Sequence, residues 1–311
     1  MWTLLITLFR TMPLVLILSL AAGPSAAQLK TYKISDVIYA LVGPLGNRTA
    51  GNLGNNATFG VIVTGEGVVL IDAGATYKGA GKIAAAIAEI TDQQVRIVVN
   101  SGGQDHRWLG NSYWAERGAQ IIASAAAVED QKDRQSLQFT GLDQLVGAFG
   151  LTGTTARFAD QVFDTRLDLT LGGITIELHH VAGAHTPGDS FVHVPSESTV
   201  FTGDIVYTER LLGITPVSDS IGWIASFEAI DALSPDHIIP GHGKPTDLLD
   251  ASAATYDYLL HLRQVMAAHI DAGGDIIASV KVDQSGFAHL LNFDELAGRN
   301  AQALFQAMEW E

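Results

Sequence analysis

At 311 residues, 47% of them apolar and 16% charged, the chain can bury one large core or two modest ones and has little of the character of a disordered polymer. Acidic residues outnumber basic ones by 33 to 18, and the formal charge of −15 argues against nucleic acid as a partner. The chain has no cysteine, so disulfides and thiolate ligands are excluded and any metal must be held by His, carboxylate, amide or water.

Residues 1–27 carry Arg10, an apolar run from Met12 to Leu20, and small residues Ser25 and Ala27 at the −3 and −1 positions of a cleavage site. This is the pattern of a secretory signal peptide. Its apolar run is shorter than the ~20 residues of a membrane span. The expectation is a periplasmic or secreted protein, residues 28–311, without a stable membrane anchor after cleavage.

The pattern of residues 31–42 predicts an edge strand, and residues 52–59 form a polar, glycine-rich loop. Residues 60–72 read as a hairpin, two β-branched runs across Gly65-Glu66-Gly67, ending in Asp72. Asp72 is expected to cap the loop that follows, with support of a metal site as a further role. A helix over 78–90 and a buried strand over 95–99 follow. Next come a short helix over 111–117, a strand over 119–124 and a helix over 125–137. Four glycines (Gly141, Gly147, Gly150 and Gly153) punctuate the stretch from 137 to 153 and predict a surface excursion near the site. Residues 163–181 give two or three strands around Gly172-Gly173. Helices are expected over 221–233, within 246–272, and over 293–310. No linker or internal repeat appears, so the reading is one layered α/β domain with mixed sheets.

Four strand-to-loop junctions end in His or Asp: Gln104-Asp105-His106, Gly183-Ala184-His185-Thr186-Pro187-Gly188-Asp189, Phe201-Thr202-Gly203-Asp204 and Pro240-Gly241-His242-Gly243. Turn residues fix the backbone there, so side chains from separate loops can converge on one point. His and Asp are ordinary donors to a borderline divalent ion such as zinc. The other histidines have plainer roles. His261, His269 and His289 lie on helical patterns, His193 sits inside a strand, and His237 starts one. Of the adjacent His179 and His180, at most one faces the site.

In the order and spacing of these motifs, from about residue 31 to 248, the chain resembles the metallo-β-lactamase superfamily. The resemblance implies a four-layer αβ/βα sandwich with a metal centre at the sheet edge, and a hydrolase carrying one or two zinc ions. The exported members with an aspartate at the bridging position, here Asp204, are the nearest in pattern. One block departs from the family signature His-x-His-x-Asp-His: this chain reads Ser101-Gly102-Gly103-Gln104-Asp105-His106. Anchored on Asp105-His106, the alignment puts Ser101 and Gly103 in the two histidine positions. Anchored on Gly110-Asn111 it puts Gly102 and Gln104 there, with His106 and Arg107 replacing Asp-His.

Either register removes two imidazoles from the first metal position and leaves His185 beside Asp204. In the first register the second position retains Asp105, His106, Asp204 and His242, so one zinc ion is expected rather than two. Arg107 and Trp108 are expected to wall the pocket and bind an anionic group. The implied activity is hydrolysis of a small-molecule ester, thioester, lactone or amide. The metal either activates water or polarises the substrate while Asp105 or His185 acts as base. The alternative is a degenerate member that binds metal or ligand without turnover.

Overall fold

The computed structural model describes residues 29–311. The expected signal peptide lies outside the described residues. Seven strands form one sheet in chain order: β1 (Lys30–Lys33), β2 (Ile38–Val42), β3 (Thr58–Val63), β4 (Val68–Ile71), β5 (Val95–Asn100), β6 (Gln120–Ser124) and β7 (Gln161–Phe163). The first four pair antiparallel, and from β4 onward the pairing is parallel. The switch falls where a tight hairpin gives way to the helical crossover α1 (Tyr77–Ala88), because parallel neighbours need a long return path.

The second sheet contains β8 (Arg166–Leu171), β9 (Ile174–His179), β10 (Phe191–Val194), β11 (Thr199–Phe201) and β12 (His237–Ile239), in the order β12-β11-β10-β9-β8. Only β11 and β12 run parallel. The remaining helices are α2 (Asp105–Trp108), α3 (Asn111–Ala115), α4 (Ala125–Leu151), α5 (Ser220–Asp231), α6 (Leu248–Ala251), α7 (Asp257–Asp271), α8 (Ile276–Ser279) and α9 (Phe293–Met308).

Alternation along the strands makes the layers. In β4, Val69 and Ile71 join the core between the sheets, where they meet Ile176, Leu178, Val192 and Phe201 of the second sheet. Val68 and Leu70 of the same strand point the other way, against Ile83 and Ile87 of α1 and Trp114 of α3. The outer face of the second sheet is covered by Trp223 and Phe227 of α5, Tyr258, Leu262 and Met266 of α7, and Leu304 of α9. Each such aliphatic side chain contributes about 1.5–3 kcal/mol on burial. The result is the helix–sheet–sheet–helix sandwich the motifs implied. At Gly60 the sheets come so close that a Cβ would run into the ring of Phe201.

Two stretches differ from expectation. Residues 137–153 are not a loop: α4 continues to Leu151, broken only at Gly147, whose φ of 71° is left-handed. Phe139, Leu142 and Val146 share one face and pack with Ala75, Trp108 and Leu109. That burial outweighs the helix cost of roughly 1 kcal/mol for a glycine such as Gly141. Within 246–272 the helix is interrupted by a π turn over Ser252–Tyr256. The turn lets the Thr255 hydroxyl accept from Tyr207 N and donate to Tyr207 O, at 2.9 and 2.7 Å, which anchors the strap beside the site.

Candidate metal centre

Three junctions deliver their side chains to one place. His106 lies in the single-turn helix α2 after β5, Asp204 in a 3-10 turn after β11, and His242 just after β12. One donor atom from each lies within 4.8 Å of the other two, and all three residues are buried. His106 Nε2 is 3.3 Å from Asp204 Oδ2, and His242 Nε2 is 3.2 Å from Asp204 Oδ1.

Each donor is aimed by a partner. The Nδ1–H of His242 donates to the Asn56 carbonyl at 2.9 Å, and Tyr207 stacks on the ring with centroids 4.7 Å apart. That bond commits the proton to Nδ1, so a lone pair on Nε2 faces the Asp204 carboxylate. His106 Nε2 is buried without a hydrogen-bond partner among the described residues. The lone pair of His242 and the unpartnered Nε2 of His106 both crowd one carboxylate, and two imidazoles with one carboxylate suit a borderline divalent ion. The residues present therefore fit a metal.

Asp204 is held from behind by Arg107, which is fully buried. Arg107 donates to Asp204 through Nε at 3.2 Å and Nη2 at 2.7 Å, and to Asp72 through Nη1 at 2.7 Å. It also reaches the carbonyls of Thr58 and Gly241. Burial alone would raise the Asp204 pKa, but the charge of Arg107, and then of His106, holds it well below the usual carboxylate range. Asp72, at the end of β4 with a left-handed φ of 72°, also accepts from Ser101 N and Oγ at 2.8 and 2.9 Å. It caps the loop after β5 rather than, as expected, the one that follows Asp72 itself, and supports Asp204 through Arg107.

The expectation that Arg107 and Trp108 wall the pocket is corrected. Both have no exposed surface, and Trp108 donates through Nε1 to Gln138 of α4. Two carboxylates drew the guanidinium inward, and an apolar cluster took the indole.

The other two candidates stand outside the three-donor group. Asp105 Oδ1 accepts from Arg48 at 2.7 Å and from its neighbour His106 N at 2.7 Å, and lies 3.0 Å from His106 Nδ1. Burial would raise Asp105, yet Arg48 and His106 hold it low. Asp105 is thus placed to orient His106 rather than to ligate. His185 donates through Nδ1 to the Gly213 carbonyl at 2.8 Å and rests against Tyr207 and Trp223. Its pKa is lowered by burial, which leaves Nε2 as an unprotonated nitrogen.

The emptied part of the signature has been refilled from α4. A Cβ at Gly102 would strike the Asp189 carboxylate, and one at Gly103 would strike Asp130. Gln131 donates to Gly102 O at 3.2 Å, Gln138 to Gly103 O at 2.7 Å, and Arg134 to Gln104 Oε1 at 3.4 Å. Asp189 is pushed up to about 8 by burial and the charge of Asp204, against the bonds from Thr186.

The metallo-beta-lactamase superfamily model matches residues 53–242, well over half of the chain. The chain belongs to the metallo-β-lactamase superfamily. A metallo-beta-lactamase from Pontibacter korlensis superposes with a TM-score of 0.59 at 20% identity, over 72% of this chain and 96% of that one. The stereoselective inverting sec-alkylsulfatase Pisa1 from Pseudomonas sp. superposes with a TM-score of 0.68 at 16% identity, over 90% of this chain and 50% of that one. A linear primary-alkylsulfatase from Pseudomonas sp. (strain ATCC 19151) is 20% identical over 221 residues, 58% of this chain. The match spans 40% of that relative's length. Among the described residues, no helix is long and apolar enough to cross a membrane.

The sequence did not mark Arg48 or the inward turn of Arg107. Arg48 is one basic residue in an otherwise polar loop, and its partners stand far along the chain.

Proposed function

We propose that the protein is a metal-dependent hydrolase that uses one divalent ion, held by His106, Asp204 and His242, with zinc the ion best suited to the donors. The observation that carries this is the buried, unpartnered Nε2 of His106 facing Asp204 beside the lone pair of His242. Three protein ligands leave a position for water or substrate, as catalytic zinc sites do. An ion there would supply Lewis acidity, able to lower the pKa of water to about 7.

The chain's own residues do the rest. Arg107 fixes the Asp204 carboxylate through two donors, and the Asn56 carbonyl sets the His242 tautomer. Asp105 Oδ1 lies 3.0 Å from His106 Nδ1 and would accept its proton when Nε2 ligates, while Arg48, 2.9 Å from the same nitrogen, would then pair with Asp105 alone. His185, neutral and with Nε2 unprotonated, is placed to accept a proton from water as general base. The substrate is a small molecule with an ester, thioester, lactone or amide bond. Two relatives are named alkylsulfatases, which favours an oxyacid ester. Export to the periplasm or medium is part of this reading and rests on residues 1–27; sequencing the N-terminus of recovered protein tests it.

The experiment is metal analysis of protein purified without chelator, together with turnover on panels of sulfate, phosphate and carboxylate esters, lactones and lactams. About one equivalent of metal, lost together with turnover in His242→Ala and Asp204→Ala, is the expected result. Turnover that survives loss of metal overturns the assignment. Metal without turnover on any panel favours the second reading, a binding protein, which the two imidazoles missing from Ser101–Gln104 support.

A further inference from the structure

Eight buried side-chain polar atoms have no hydrogen-bond partner among the described residues. Four of them belong to residues around the metal cluster: His106 Nε2, Asn56 Oδ1, Arg48 Nε and Arg210 Nε. The metal accounts for the first. The two guanidinium atoms need another explanation.

Arg210 is only 8% exposed. Arg107 has Asp72 and Asp204, Arg134 has Asp130, and Arg48 has Asp105. Arg210 has no carboxylate within 4.0 Å among the described residues. Among the described residues its one side-chain hydrogen bond is from Nη1 to the Leu45 carbonyl at 3.1 Å. A buried guanidinium without a counter-charge is costly to keep, and more so in a chain with acidic residues to spare.

Its position says what would repay it. Arg210 follows Asp204 on the strap whose Tyr207 stacks on His242 and whose Thr208 N donates to the His242 carbonyl at 2.9 Å. Across from it, the loop between β2 and β3 holds Leu45 and Arg48. Arg48 Nη2 lies 2.9 Å from His106 Nδ1. One arginine thus comes from each side of the metal cluster. Burial lowers the Arg210 pKa and the charge of Arg48 lowers it further, against Tyr207, Asp204 and Glu295, whose charges raise it from beyond ion-pair distance.

We propose that Arg210 and Arg48 form a recognition site for a tetrahedral oxyanion, the sulfuryl or phosphoryl group of the substrate, beside the metal cluster. The proposal rests on the hydrolase reading above and names its substrate class. Guanidinium forks arriving from two loops need acceptor oxygens that point in different directions, and a tetrahedral group provides them. A bound anion would also relieve the repulsion between the two cations and give each unpartnered Nε–H an acceptor.

The test is calorimetric titration of the full chain, metal-free and metal-loaded, with sodium sulfate, sodium phosphate and sodium acetate. Saturable binding of sulfate or phosphate, tighter than acetate, is expected. It should weaken about 10- to 100-fold in Arg210→Gln and in Arg48→Gln. Arg210→Lys keeps the charge without the fork and should recover only part of the affinity, and it serves where Arg210→Gln folds poorly. No saturable binding, acetate as the tightest ligand, or affinity unchanged in the variants overturns the proposal. Metal content read on the same samples separates the two claims. Sulfate binding without metal leaves this site standing and removes the hydrolase reading. Metal with turnover but no anion binding does the opposite.

Discussion

Two halves of the same cleft have been treated differently. On the side of β11 and β12, Asp204 and His242 keep their place, and Arg107 ties Asp204 to Asp72 behind it. On the side of Ser101 to Gln104 the imidazoles are gone, and α4 fills the space with Asp130, Gln131, Arg134 and Gln138. The first half keeps a metal's ligands together with their supports. The second turns a site into packing. Where the two ligands are missing the space is closed, so restoring the ligands alone would not restore the site.

The largest effect should come from cutting the support in the intact half. Arg107→Met leaves Asp72 and Asp204 buried without a counter-charge, and should cost about 3–5 kcal/mol in urea unfolding. Arg107→Lys should rescue little, because an ammonium cannot reproduce the guanidinium's fork. A loss under about 1 kcal/mol would mean that Asp204 is held by other means.

Next is an attempt to rebuild the refilled half. Ser101→His with Gly103→His returns two imidazoles in the register that keeps Asp105-His106, but the second meets Asp130. The double variant should lose about 1–3 kcal/mol and bind no second equivalent of metal. A second equivalent at unchanged stability would show that the space is open after all.

A smaller effect is expected at Asp105, which joins the halves. Asp105→Asn should leave the fold intact and weaken metal affinity about 10- to 100-fold, because His106 loses the carboxylate that fixes its tautomer. Complete loss of metal would instead make Asp105 a ligand.

The last effect is in pH dependence, and it belongs mainly to the refilled half. Asp189 has a folded pKa of about 8, above the carboxylate value of 3.8, so the fold binds a proton that the unfolded chain has released. That stability is whole below pH 3.8 and is lost as pH rises toward 8. His185 works the other way. Its folded pKa is lowered from 6.5, so its contribution is whole above pH 6.5 and is lost as pH falls through the folded value. Neither slope exceeds about 1.4 kcal/mol per pH unit. Denaturant curves between pH 5 and pH 8, taken within that window, should fall less steeply with rising pH in Asp189→Asn, and less steeply with falling pH in His185→Gln. Unchanged slopes would remove both assignments.

Much of the scaffold could be read from local pattern. The hairpin of β3 and β4, the strand β5, the helix α1 and the loops at His185, Asp204 and His242 all follow from alternation and from turn residues, which act over a few positions. The stretch 137–153 misled because glycine is a local signal, while the apolar face of Phe139, Leu142 and Val146 finds its partner in Trp108, over thirty positions earlier. The site divides in the same way. His106 and His242 announce themselves by their loops. Arg107 reads as a pocket wall for an anionic group until Asp72 and Asp204 are brought to it from 35 and 97 positions away.

By itself the sequence determined the family pattern, the order of layers and the loss of two imidazoles, since these are matters of residue identity and short spacing. Only the tertiary structure decided which donors meet, that Asp105 turns to Arg48 while Arg107 turns inward, and that Arg210 is buried with no carboxylate within 4.0 Å among the described residues. Those outcomes depend on which charges from distant loops share a place shielded from water, where each must find a partner.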